Sequence, residues 1–221
     1  MADQDKRLVD LSHVIEAAMT TFKGLPGPHI CDFWEREASA AFYEDGETFQ
    51  IGRIDMVANT GTYLDCPFHR YAEGADLTAL ELEQLAGLEG LVVRKSDGLA
   101  IDAADVASLD VAGKAVLFHT GWDEHWRTDA YYQNHPYLTA AAARMLVQGG
   151  ARLVGIDSHN IDDTRGRSRP VHTILLGADI LICEHLTNLA ALPDEGFRFS
   201  AVPPKVAGMG TFPVRAFAAI S

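Results

Sequence analysis

The stretch Asn59-Thr60-Gly61-Thr62-Tyr63-Leu64-Asp65-Cys66-Pro67-Phe68-His69 gathers an amide, a phenol, a carboxylate and an imidazole around one proline. If a strand runs on to Asp65, alternate side chains share a face, so Asn59, Tyr63 and Asp65 point the same way. Pro67 has no N–H to donate and ends the ladder, which leaves His69 on the turn that follows. A second group lies at His172 and Glu184. His172 opens an apolar helix, and Glu184 sits inside "DILICEHL", a run with the composition of a buried strand. A buried carboxylate is costly unless it is paired, protonated or bound to a cation. Asp65, His172 and Glu184 make an oxygen–nitrogen–oxygen set that suits Zn2+ or Mn2+. Water activated on such a metal, with His69 as general base and acid, is hydrolytic chemistry. Each residue also has a plainer reading. Asp65 can cap a turn, Tyr63 can pack in the core, His69 can sit on the surface, and Glu184 can pair with an arginine of "RGRSR" (165–169).

Other residues extend the candidate site. His159, in "GIDSHNIDD", follows a strand end, where loops often carry function. His119 ends another strand and is a weaker candidate for the same cleft. His13, His29, His125 and His135 read as surface or loop residues. Phe33, Trp34, Phe68 and Trp122 are assigned to an apolar pocket for a ring, with His159 on the substrate side. Cys66 adjoins Asp65 but falls on the opposite face of the strand with no histidine placed to activate it, so it is not read as a nucleophile.

These residues need elements to hold them. "TFQIGRIDMVAN" (48–59) reads as a strand, and "TFKGLPGPH" (21–29) as a Gly/Pro loop. Thr78 and Glu81 have capping-box spacing for a short helix over 79–86. "GLVVRKS" (90–96), "KAVLFHTG" (114–121) and "ARLVGID" (151–157) are compact apolar runs, read as buried strands. "YLTAAAARMLVQGG" (137–150) predicts a helix capped by Thr139 and ended by Gly149. Residues 170–186 predict a short helix, a turn and another buried strand. Strands and helices alternate in the second half, which is the α/β pattern.

The bulk properties set limits. A chain of 221 residues with 48% hydrophobic and 22% charged residues is ordinary globular material, and one domain over 1–221 is the expectation. A net charge of -13 argues against nucleic acid and anionic membranes as partners. Three scattered cysteines form neither a disulfide framework nor a thiolate zinc site. "MADQDKRLVDLSH" has no apolar core of a signal peptide, and no apolar run is long enough to span a bilayer, so a cytoplasmic protein is expected.

Several motifs resemble one family. "DLSH", the "GLPGP" loop, "NTGTYLDCPFH", "TGW" (120–122), "LVGID" (153–157) and "VHTILLGADILICEHLTNL" (171–189) look like the cyclase-like metal-dependent hydrolases, which include bacterial kynurenine formamidase and isatin hydrolase. The resemblance covers nearly the whole chain. It implies an α/β fold of the swivelling β/β/α type, with a barrel-like mixed β core flanked by helices, and a homodimer or homotetramer. It implies that Asp65, His172 and Glu184 are metal ligands and that His69 is the acid/base. Nothing but the resemblance brings Asp65 and Glu184 together. The family signature H-x-G-T-H-x-D-x-P-x-H has histidines where this chain has Asn59 and Tyr63. Asn59 then offers only a weak carbonyl oxygen, Tyr63 a phenol, and one divalent ion is more plausible than two. The resulting expectation is hydrolysis of a small-molecule amide, imide or lactone, of the arylformamidase kind. Two rivals stay open: a metal-free lyase, dehydratase or cyclase using Tyr63 and His69, and a binding protein without turnover.

Overall fold

The computed structural model describes residues 7–220, so the charged opening residues 1–6 lie outside it. After β1 (Arg7–Asp10) the chain loops through the Gly/Pro segment to β2 (His29–Trp34), α1 (Arg36–Ser39), β3 (Ile51–Asp55) and β4 (Tyr63–Asp65). The middle holds β5 (Leu88–Arg94), β6 (Ala100–Ile101), α2 (Ala103–Val106), β7 (Ala115–His119) and β8 (Tyr137–Leu138). Then come α3 (Ala140–Gly149), β9 (Leu153–Ile156), α4 (Pro170–Leu176), β10 (Leu181–Glu184), β11 (Phe197–Ser200), β12 (Thr211–Pro213) and β13 (Phe217–Ile220).

A curled, nine-stranded mixed sheet in the order β1-β13-β11-β5-β7-β9-β10-β4-β12 forms a half-barrel. Its parallel centre, β5-β7-β9-β10, is buried on both faces, as parallel strands demand. Strand alternation assigns the faces. Leu64, Leu117, Leu153, Leu181 and Cys183 join the core on one side. Val116, Phe118, Val154, Ile156 and Ile182 join the core that α2, α3 and α4 cover on the other. Thr139 caps α3 by accepting from Ala142 N at 3.2 Å, as its side chain predicts. The left-handed residue that ends this helix is Gly150, not Gly149. Among the described residues no helix is long and apolar enough to cross a membrane.

Two local readings are overturned. Residues 79–86 form only a 3-10 turn over Leu82–Gln84. Its capping box is Glu81 with Gln84, because Thr78 instead spends its hydroxyl and N–H on Asp76. Nor does one strand run from 48 to Asp65. β3 stops at Asp55, and β4 begins only after an irregular segment in which Gly61 takes φ +65 with Ile15 Cγ1 2.9 Å from where its Cβ would stand. β3 pairs with β2 as an arm lying outside the main sheet. Every residue of β3 is exposed.

Candidate active site

Sheet register builds the site. In the antiparallel β4–β10 pair, Tyr63 lies opposite Glu184 and Asp65 opposite Ile182. On the other edge of β4, Asp65 lies opposite Thr211 of β12. Directly opposed residues share a face, so Tyr63, Asp65, Glu184 and Thr211 all project toward the helix-covered side. The start of α4 brings His172 to the same place. The alternate residues Leu64, Cys66 and Cys183 pack into the other core. Burial pushes the Cys66 thiol up to about 11, away from nucleophilic use.

Glu184 is fully buried and satisfied by neutral donors. Its Oε2 accepts from the Tyr63 hydroxyl at 2.5 Å and its Oε1 from Ile161 N at 2.6 Å, with Asn160 Nδ2 at 3.5 Å. No arginine of 165–169 reaches it. Burial raises the Tyr63 phenol well above its ordinary value, and the Glu184 and Asp65 carboxylates raise it further. Tyr63 is therefore a phenol that donates, with the Asn59 amide beside its oxygen. Asn59 and Tyr63 both line the cavity.

His172 is oriented by Asp162, a residue the sequence reading missed. Asp162 accepts the free N–H groups of Val171 and His172 at 2.7 and 3.0 Å and the His172 Nδ1 proton at 2.6 Å. That leaves His172 Nε2 facing inward, 3.7 Å from Asp65 Oδ2 and 3.7 Å from Glu184 Oε1. Burial works to lower the His172 pKa, but the Glu184, Asp162 and Asp65 carboxylates outweigh it and hold it near 10. Burial raises Glu184. Crowded, buried carboxylates thus favour a positive charge at this point, whether a proton or a cation.

Thr211 was also missed. Its hydroxyl donates to Asp65 Oδ1 and lies 2.8 Å from His69 Nδ1. A hydroxyl has one proton, and this one goes to the carboxylate, so its oxygen accepts from His69 Nδ1–H. Neutral His69 then carries its lone pair on Nε2. His69 lines the cavity from the 3-10 turn Pro67–His69. Gly210 allows this packing, because a Cβ there would strike the His69 main chain.

The arrangement suits a cation on its own chemistry. Asp65 Oδ2 is buried without a hydrogen-bond partner. It faces His172 Nε2, the nitrogen that a cation would take in place of a proton, while Asp162 holds Nδ1–H from behind, the usual support of a ligating histidine. Asp65, His69 and His172 each offer a ligand atom, all within 4.8 Å of one another. Glu184 adjoins this trio through His172 rather than belonging to it.

The cavity beside these groups holds about 250 Å3, and its apolar wall is Phe22 and Leu25 from the Gly/Pro loop. The aromatics assigned to it lie elsewhere. Phe33 and Trp34 are on the β2–β3 arm, where Trp34 stacks on Phe42 at 4.8 Å. Phe68 packs on the apolar core. Trp122 donates Nε1–H to Tyr131 O at 3.0 Å. A strand or turn position does not specify which distant wall a ring meets. His159 is buried behind Phe22 among Tyr131, Tyr132 and His135, and burial lowers it to about 3, a neutral packing residue outside the cavity lining. His135, expected at the surface, is buried with it. His119 contacts Arg94 rather than the cavity. "TGW" and "LVGID" meet structurally, since Asp157 accepts from Thr120 N and Oγ1 and from Gly121 N.

A sequence profile described as putative cyclase matches residues 9–163. A kynurenine formamidase of Geobacillus thermodenitrificans is 30% identical over 168 residues, covering 75% of this chain and 78% of that protein. One from Salinibacter ruber is 27% identical over 214 residues, 95% of each. A solved structure described as a potential metal-dependent hydrolase with cyclase activity superposes with a TM-score of 0.81 at 25% identity, covering 98% of both chains. Isatin hydrolase A from Labrenzia aggregata, at 22% identity, shares the fold with a TM-score of 0.82 over 97% of this chain and 94% of its own.

Proposed function

The chain belongs to the putative cyclase family, and from that premise we propose that it is a metal-dependent hydrolase of small-molecule amides, with formamides of aryl amines as the favoured substrates. The observation that carries this reading is the unpartnered, buried Asp65 Oδ2 facing the Asp162-oriented His172. Asp65, His172 and Glu184 are the proposed holders of one zinc or manganese ion, with Asn59 as a weak fourth neighbour. Such an ion polarises the scissile carbonyl and acidifies water. His69 Nε2 takes the proton of the attacking water and delivers it to the departing nitrogen. Thr211 keeps the imidazole in the tautomer this requires. Tyr63 holds Glu184 through its hydroxyl, and Phe22 and Leu25 shield the apolar part of the substrate from water. The relatives named kynurenine formamidase support the bond type.

The test is hydrolysis of formanilide by enzyme prepared with zinc or manganese, before and after chelation. Turnover that disappears with the metal and returns on its readdition is the expected result. Turnover untouched by chelation would reject the reading and favour proton transfer by Tyr63 and His69.

A second copy of this chain is the proposed macromolecular partner, and a net charge of -13 supports neither nucleic acid nor an anionic membrane. The β2–β3 arm presents Phe33, Phe42 and Ile54 at 61%, 60% and 56% exposure beside Trp34 and Tyr43. Trp34 links Phe33 and Phe42 through ring contacts at 6.0 and 4.8 Å, and exposed apolar side chains grouped in this way mark a protein interface. Light scattering is expected to give a multiple of the monomer mass, and Phe33→Ser with Phe42→Ser is expected to shift it toward the monomer. A monomeric parent would refute the arm as an interface. The cytoplasm is the proposed location, in keeping with three free thiols at Cys31, Cys66 and Cys183.

A further inference from the structure

The Gly/Pro loop stands between two cavities. Phe22 and Leu25 form the apolar wall of the cavity beside His69 and His172. On the other side, Lys23, Gly24 and Leu25 of the same loop border a second cavity of about 420 Å3, bounded across by Arg127, Asp129 and Tyr132. Leu25 lines both. The tip of the loop is a tight turn. Leu25 N–H donates to Phe22 O at 3.1 Å, and Gly24 takes φ +93, where an L side chain would be strained.

The two flanks of this turn are fixed and its tip is not. Thr21 is buried, and its hydroxyl donates to Asn59 O at 2.8 Å. The Tyr132 hydroxyl donates to Thr20 O. On the far flank, Ala18 N donates to Pro28 O at 2.8 Å, and a Cβ on Gly27 would stand 2.6 Å from Met19 O, so the two legs pack backbone to backbone. Between these anchors, residues 22–26 make no hydrogen bond to any described residue outside the turn. Lys23, Gly24 and Leu25 are exposed. The Phe22 ring holds the tip down by packing on the His159 imidazole, with centroids 5.0 Å apart. Firm legs, a lightly held tip and open space behind it let such a segment move as a unit.

We propose that residues 22–26 are a lid over the cavity beside His69 and His172, latched by Phe22 on His159 and opened by swinging the tip into the second cavity. Closed, the lid sets Phe22 and Leu25 against a bound ligand and keeps water out; open, it widens the entrance. The benefit to catalysis rests on the function proposed above; the motion does not. Trypsin reads the motion, because Lys23 sits on the tip and cleavage of the Lys23–Gly24 bond follows the population of the open form. On protein prepared with zinc, cleavage after Lys23, followed by mass spectrometry, is expected to rise about three- to tenfold in Phe22→Ala, the scale of one aromatic contact. Phe22→Leu is expected to lie between. Asp129→Trp places a ring in the second cavity and is expected to slow cleavage by about tenfold, because the tip then opens into filled space. Asp129→Asn, which removes the charge but leaves the space, is expected to match the parent. Benzamide at about ten times the Kd that calorimetry gives is expected to slow the parent by about tenfold. Equal rates in the parent, Phe22→Ala and Asp129→Trp, with circular dichroism showing each protein folded, overturn the proposal. So does a parent rate that bound benzamide leaves unchanged. If formanilide is not hydrolysed but the cleavage pattern holds, the hydrolase reading fails and the lid stands.

Discussion

In Asp65→Ala the bound metal is expected to fall to background and formanilide turnover to drop by about three orders of magnitude or more, whereas His69→Ala is expected to keep its metal and lose about 100- to 10,000-fold in kcat. The contrast follows from the two environments. Asp65 is fully buried, and its Oδ2 has no partner other than the space it shares with His172 Nε2. Removing it takes away a ligand and leaves Thr211 without its acceptor. His69 is about one-third exposed, on a turn at the cavity edge, with Nδ1 engaged by Thr211. Losing it removes a proton acceptor and leaves the buried donors in place. Metal content by mass spectrometry and kcat at saturating substrate measure the two effects separately. Equal metal loss in both variants would instead make His69 a ligand, an outcome the 4.8 Å grouping of Asp65, His69 and His172 makes concrete. Asp65→Asn, close in shape, separates loss of charge from loss of folding.

The double variant Asn59→His with Tyr63→His is expected to raise metal content from about one ion per chain to about two, since the chain would then carry all the histidines of the family pattern it resembles. The structure gives this change a physical setting. Tyr63 is 2% exposed, on the face of β4 that looks at Glu184, and its hydroxyl occupies one carboxylate oxygen at 2.5 Å. Asn59 lies against the same hydroxyl. Two imidazoles would replace a protonated donor with two neutral acceptors, beside carboxylates already short of positive charge. The stoichiometry of the purified variant, dialysed against excess zinc, reads the result. A count that stays near one would mean that these two substitutions are not what limits the centre. Tyr63→His alone is expected to lower thermal stability, because it empties part of a packed site and frees Glu184 from its donor.

Much of the framework was legible because its causes are local. Apolar runs bounded by turn residues marked the central parallel strands, and Thr139 marked the start of α3, since a cap acts within its own first turn. The alternation of a strand put Tyr63 and Asp65 on one face and Cys66 on the other, even though the strand proved to be the short β4 and not an extension of β3. The chemical types at Asp65, His69, His172 and Glu184 were equally visible, because a buried carboxylate in an apolar run is costly wherever it sits. What could not be read is which neighbour each group meets. Thr211 touches both Asp65 and His69 only because β12 pairs with β4 across 146 positions of sequence. Asp162 orients His172 through a loop that folds back on the start of α4. Phe33 and Trp34 went to an exposed arm, and Phe22 and Leu25 to the cavity wall, through strand pairing and loop packing that leave no periodic mark. The sequence by itself determined the kinds of group available and the face each would take, because both follow from side-chain chemistry and backbone period. Only the tertiary structure decided the partners, because strand order and register are set by packing summed over the whole sheet.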